Sequence, residues 1–391
     1  MKSMLWLSAA AAILICTLTA PAAASRGGEQ GARSATAPDV DMAALWDGRS
    51  AVEFHSVTLP KMVKAQDARF LIDDEYVLGV TSHGESRAYP TRFVSWHHIV
   101  NDKIAKANGA GATYITVTYC IVCNSGMAFD TPLVNDKPVT FDFYGLYNGV
   151  MTMFDRQTQS VWLQVSGRAV KGAMRGETLT SRPLLDTTWG EWRRLHPDTL
   201  VMAPDPRFRD CYEPKGSIMA RGYDSFPAAY FRKTVTRRDA RLPMFEPMLA
   251  VSIPPAGESQ AGQQSARPSF RAYPLKVFKG KTTVINEMVG SSPVAILFVA
   301  DTQTACALQP VIDGRKLTLV ARTTGNRSYA FYDRETGSRW NIEGRAEAGP
   351  LSGRQLPRFD SHMSQWYGWA SYFPGTTVFG QAVPLLQAAL K

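Results

Sequence analysis

The sequence predicts an α+β, strongly β-rich protein. It should comprise two tandem homologous repeats of mixed strands with short helices, a pseudo-twofold duplicated architecture. Three observations carry that expectation. The segment "FDRQTQSVWLQVSGRAVKGAMRGETL" from Phe154 recurs as "YDRETGSRWNIEGRAEAGPLSGRQL" from Tyr332. After a one-residue gap the match keeps a constant offset, so that Gly167, Trp189, Trp192, Pro197 and Thr199 align with Gly344, Trp366, Trp369, Pro374 and Thr376. Finally, runs such as "EYVLGV", "TYITVTYC", "VTFDFYG" and "VMTMFD" are β-branched or aromatic and bounded by Gly, Asn and Asp, the pattern of strands between turns.

With 391 residues, 45% hydrophobic and 20% charged, the chain has material for a large core and is not a disordered polymer. Taken from the N-terminus, Lys2 precedes an apolar run over 4–18, and Ala22-Ala23-Ala24 then offers small residues to a signal peptidase. Residues 1–24 are therefore expected to be a signal peptide cleaved near Ala24, which removes Cys16 and places the protein in the periplasm or outside the cell. Residues 25–45 read as a flexible lead-in, rich in Gly, Ala and Ser. The first repeat spans 46–204, and a helix is predicted over 188–196, where Thr188 and Glu191 form a capping pattern. A connector follows over 205–244, including the basic stretch "FRKTVTRRDAR". The second repeat occupies 245–391 and carries a polar insertion at about 254–269. Its "SFRAYP" answers "ESRAYP" of the first repeat, so Tyr273-Pro274 stands for Tyr89-Pro90.

An exported protein works where disulfides form and nucleotides are scarce. No phosphate-cradling glycine loop and no G-x-S-x-G elbow is present, which argues against nucleotide cofactors. The formal charge of +9 leaves an anionic surface or another exported protein as candidate partners, and no nucleic acid is expected.

The repeat also acts as an internal control. Residues found in both copies are expected to build the fold. Asp155, Thr158, Ser160 and Trp162, repeated as Asp333, Thr336, Ser338 and Trp340, read as a side-chain-bonded turn. Trp189 and Trp192, like Trp366 and Trp369, sit three apart on one helix face and read as core, against a rival role as sugar-stacking platforms. Residues confined to one copy are candidates for chemistry. Cys120 and Cys123 face Ala300 and Gln303 in the sequence alignment of the copies, and the "WHH" of His97 and His98 has no counterpart.

Two thiolates joined by a tight turn suit a soft ion, copper before zinc, with His97 as third ligand and Met127 as fourth. A redox-active dithiol is the second candidate. A structural pair, either a small disulfide or two buried thiols, stands beside it, although a disulfide across a four-residue loop would gain only about 2 kcal/mol. Asn124 after the second cysteine excludes covalent haem attachment. His98 is the weaker of the histidines, since neighbours on a strand or turn point apart. Cys211 and Cys306 are single and could pair with each other, whereas His55, His83, His196 and His362 form no constellation. The functions these features favour are metal handling or electron transfer. The alternatives are a glycan- or peptide-binding module using the aromatic residues, and a thiol-disulfide oxidoreductase.

At "WHHIVND", "VTYCIVCNSGMAFD", "GLYNGVMTMFDRQTQSVWLQ" and "TTWGEWRRLHPDTLVM" the sequence resembles the bacterial "domain of unknown function 3179" family, over about 70–380. In that family the first stretch usually reads Trp-His-Glu, so Trp96 and His97 fit and His98 departs. The family typically places Pro-Leu between its cysteines and Gly after them. Here Ile121-Val122 and Asn124 stand instead, while both cysteines and Thr118-Tyr119 match. The resemblance implies an exported or membrane-associated protein and brings no reaction with it.

Overall fold

A computed structural model describes residues 40–106, 111–215, 223–254, 268–323 and 329–381. The expected signal peptide, residues 25–39 of the lead-in and most of the polar insertion lie outside the described residues. Within them the chain is β-rich with few, short helices: α1 (Thr91–His97), α2 (Trp189–Leu195), α3 (Ala229–Thr234) and α4 (Trp366–Ala370). The predicted helix is α2, and the Thr188 hydroxyl accepts from the Glu191 backbone N–H at 3.4 Å.

The two halves order their strands alike. In the first, Tyr76–Ser82 and Glu85–Pro90 form an antiparallel hairpin; Leu184–Thr188 adds antiparallel to one side and Leu200–Met202 parallel to the other. In the second, Pro247–Ile253 and Ser269–Pro274 form the hairpin, flanked in the same senses by Asp360–Gln365 and Thr377–Val378. A three-strand meander follows each hairpin, Ile99–Ala105, Ala112–Cys120 and Ser125–Asp130 in one half. Thr283–Val289, Ser292–Val299 and Thr304–Leu308 form the other. A further meander in each half carries the Asp–Thr–Ser–Trp turn. Thr158 donates from its N–H and hydroxyl to Asp155, at 2.5 and 2.6 Å, and Trp162 Nε1 donates to Asp155 Oδ2 at 2.9 Å. Asp333 receives the same three bonds from Thr336 and Trp340, at 2.5, 2.9 and 2.8 Å. Both carboxylates are buried, so these bonds are what compensates their loss of water.

Packing then crosses between the halves. Trp189 and Trp192 of α2, in the first half, enter a core with Leu297, Leu308, Leu317 and Trp340 of the second. Trp366 and Trp369 of α4, in the second, enter a core with Met151, Trp162, Cys120 and Cys123 of the first. All four indoles on these helices are 0–2% exposed. One face of each hairpin sheet thus covers meanders of the opposite half, while its other face packs on the meander of its own half, as Leu78 and Tyr89 do on Val100 and Val117. A buried indole contributes about 3–5 kcal/mol on truncation scales, so these crossings account for much of the stability. Trp192 Nε1 donates to Thr199 Oγ1 at 2.9 Å and Trp369 Nε1 to Thr376 Oγ1 at 2.8 Å, which satisfies the one polar atom of each ring.

Candidate functional site

The strand Ala112–Cys120 ends on the first cysteine, residues 121–124 turn, and Ser125–Asp130 returns, with Cys120 opposite Ser125. Asn124 closes the turn at φ 50°, a left-handed conformation that glycine and asparagine adopt most readily. Its Oδ1 also accepts from the Tyr119 hydroxyl at 2.9 Å. In the second half Val299 opposes Thr304, and Gln303 closes the turn at φ 48°. The positions answering Cys120 and Cys123 are therefore Val299 and Thr302, one residue earlier than the sequence alignment of the copies placed them.

Both thiols are free and buried, Cys120 3% and Cys123 0% exposed. Cys123 Sγ lies 3.0 Å from Ser125 Oγ, which donates to Gln164 Oε1 at 3.0 Å. Gln164 Nε2 in turn donates to Thr118 Oγ1 and to the Ser125 carbonyl, at 3.1 and 2.9 Å. From the second half, the Gln365 N–H donates to the Cys123 carbonyl at 2.9 Å. Gly368 of α4 packs so close that an added Cβ would lie 2.9 Å from Cys123 Cβ. The dithiol is therefore roofed by α4.

The two sulfurs are electrostatically unequal. Burial pushes the Cys120 thiol up, but the Cys123 thiol and the N–H groups of Met151, Cys123 and Val122 outweigh it and hold Cys120 below an ordinary thiol. Burial, and then Cys120 beside it, push Cys123 well above. Burial raises Tyr367 and Tyr372 too, and the neighbouring sulfurs add to that shift.

Met127 shares the strand face of Ser125 and belongs to the same apolar cluster as both cysteines. His97 does not join them. It ends α1, where no helix was predicted, and its ring is held elsewhere: Nδ1 contacts the His55 carbonyl at 2.6 Å and Nε2 the Tyr212 hydroxyl at 2.7 Å. Both ring nitrogens of His97 are thus engaged, one by His55 and one by Tyr212 of the connector, and neither bonds a cysteine. Burial lowers its pKa and favours the neutral ring. His98 caps α1 at φ 62° and stacks on Phe54 at 4.1 Å. Among the described residues no group of three or more His, Cys, Asp or Glu is placed to hold an ion. Cys211 is exposed and Cys306 buried, and no disulfide joins them, so the pairing considered for them is not formed. The buried indoles of α2 and α4 present no stacking platform for a sugar.

A second polar constellation escaped the sequence. Ser86 Oγ lies 2.9 Å from His196 Nδ1, and His196 Nε2 lies 2.7 Å from Glu343 Oε2, with Arg358 3.2 Å behind the carboxylate. These residues are 110 and 147 positions apart in the chain, so no spacing signal could have joined them. Ser86 and His196 border a cleft of about 550 Å³, and Glu343 lies behind the ring. A larger cavity of about 1000 Å³ is lined by Leu163, Phe270, Tyr372, Phe373, Arg168 and Arg237, among others.

A family model described as "Protein of unknown function (DUF3179)" matches residues 53–376. No curated protein and no solved structure matches the chain. Among the described residues no helix is long and apolar enough to cross a membrane.

Proposed function

The chain belongs to the DUF3179 family of proteins of unknown function, and from that premise we propose that it is an exported redox protein whose Cys120–Cys123 pair is a reversible dithiol. The observation that carries this reading is the asymmetric thiol pair. Both thiols are free and buried on one turn; Met151, Cys123 and Val122 offer backbone N–H groups to Cys120, where Cys123 has the Ser125 N–H and, at 3.0 Å, the Ser125 hydroxyl. Cys120 is then the attacking sulfur and Cys123 the resolving one. In exchange with a small disulfide, the Cys120 thiolate attacks one sulfur and releases the other as a thiolate. The Cys123 thiol then loses its proton and attacks Cys120, forming the internal disulfide and releasing the second thiolate. Two electrons leave the protein and two thiols are produced. Burial under α4 limits the partner to a small molecule.

A second reading retains copper. Cu(I) accepts two or three soft donors, and Met127 in the cluster of both cysteines supports a set of three sulfurs. Zinc fits less well, because the nitrogen donor expected from His97 is turned away.

The same reading includes the export signal, supported by the apolar run at 4–18 and Ala22-Ala23-Ala24, and a tandem duplication. The duplication is supported by equal strand order and by the matching Asp155 and Asp333 turns. Repeats of 46–204 and 245–391, joined by the connector, are its proposed limits.

Equilibration of the native protein with glutathione and oxidised glutathione tests the proposal. A reversible loss of two hydrogens, mapped to Cys120–Cys123, is the expected result. A native protein that never forms this disulfide, although the denatured chain does, would show a purely structural pair. For copper, equal and substoichiometric metal in wild type, Cys120→Ser and Cys123→Ser ends the second reading.

A further inference from the structure

We propose that Ser86, His196 and Glu343 form a hydrolytic site that cleaves a carboxylic ester of a small polar alcohol. Ser86 lies on the strand Glu85–Pro90, His196 directly follows α2, and Glu343 comes from the opposite half. The distances of 2.9 Å from hydroxyl to ring and 2.7 Å from ring to carboxylate are those of a nucleophile, its base and the group that orients the base. Burial pushes the Glu343 carboxyl up, but His196 and Arg358 outweigh it and keep it ionised. An ionised Glu343 accepts from Nε2–H, which leaves the lone pair of Nδ1 facing Ser86 Oγ. The ring turns Nδ1 to the nucleophile, where many such sites turn Nε2; either nitrogen serves once the other N–H is held by the carboxylate.

The cleft of about 550 Å³ reaches both Ser86 and His196, and its other lining side chains include His83, Glu85, Lys106 and Asp198. A polar wall of this kind suits a hydrophilic ester rather than a lipid. Lys106 is the only Lys or Arg among the described residues that line it, and its charge can offset an oxyanion.

The fold itself does not require this chemistry. Ser86 pairs with Thr81 where Phe270 pairs with Ser252 in the second half. His196 packs on Trp192 at 4.1 Å where Phe373 packs on Trp369 at 4.2 Å. Ser166 occupies the place of Glu343 in the aligned copies. Phe270, Phe373 and Ser166 all line the larger cavity. The two hollows are thus counterparts, one walled by Phe270 and Phe373 and the other by Ser86 and His196, with Glu343 behind the ring. A residue needed only for packing would not have to change in this coordinated way.

In the reaction the Ser86 O–H bond breaks and its proton passes to His196 Nδ1 as Oγ bonds to the acyl carbon. The ester C–O bond then breaks and the departing alcohol takes that proton. Water attacks the acyl-serine, giving one proton to Nδ1, and the acid leaves as that proton returns to Ser86. Glu343 acts through His196 and is a positioning residue.

The test uses the full chain with a fluorophosphonate probe and p-nitrophenyl acetate. The expected result is one adduct, mapped to Ser86, with turnover that Ser86→Ala and His196→Gln abolish. Glu343→Gln should lower kcat by about 10³-fold at unchanged KM, and Glu343→Asp should recover part of it. Thermal unfolding of each variant separates loss of chemistry from loss of fold. Wild-type protein that takes no adduct, an adduct on another serine, or turnover that survives in Ser86→Ala would each overturn the proposal.

Discussion

Replacing Gly368 by alanine tests whether α4 of the second half seals the dithiol of the first. The added methyl would stand 2.9 Å from Cys123 Cβ, 3.3 Å from Val150 Cγ2 and 3.4 Å from Ser364 Oγ. The first distance is shorter than side-chain carbons tolerate, and Cys123 Cβ cannot swing away because it is fixed to the backbone of the turn. Overpacking of this kind costs about 1–3 kcal/mol. Against it stands the helix preference of alanine over glycine, worth up to about 1 kcal/mol. The steric effect should win, leaving Gly368→Ala destabilised by roughly 1–2 kcal/mol. Urea unfolding measures that loss, and the rate of reaction of the native thiols with an aromatic disulfide measures the opening of the roof. Faster thiol reaction together with a lowered urea midpoint is expected. Unchanged or raised stability with an unchanged thiol rate would refute the view that α4 closes over Cys123.

Two further outcomes follow from the same structure. His98 and His362 are buried, and burial lowers each pKa from 6.5 to about 4. Between those values the unfolded chain binds more protons than the folded one, so stability must fall as pH drops from about 7 to 4. The loss amounts to roughly 3 kcal/mol per ring and is read as a shift of the urea midpoint, which a His98→Asn, His362→Asn double variant should flatten. Asp155→Asn and Asp333→Asn each weaken a buried, charge-assisted anchor for a Trp and a Thr, and each should cost about 2–4 kcal/mol in calorimetry. Near-equal losses are expected, since the two turns make the same bonds.

Local features were legible where their determinants lie close in sequence. The Asp155 turn, the cap of α2 by Thr188 and the return of the chain at Cys120–Ser125 each involve side chains within a few residues of the backbone they bond. The helix ending at His97 was missed because its residues, Thr91 to His97, carry little capping signal: Pro90 precedes it with no side chain bond to its N-terminus. Missing that helix misplaced the histidine. Its ring was assigned to the cysteines on sequence company alone, whereas α1 turns it toward His55 and Tyr212.

By itself, the sequence determined the β-rich class, the turn chemistry and the place of the two cysteines at the end of one strand. These follow from strand alternation and from side chains that bond their own neighbours. Only the tertiary structure decided that each Trp helix packs into the opposite half, that Gly368 lies against Cys123, and that His196 joins Ser86 to Glu343 beside a cleft. Those contacts join residues more than a hundred positions apart. They exist because each half, after burying one apolar face on its own strands, has a second that is buried only against the other.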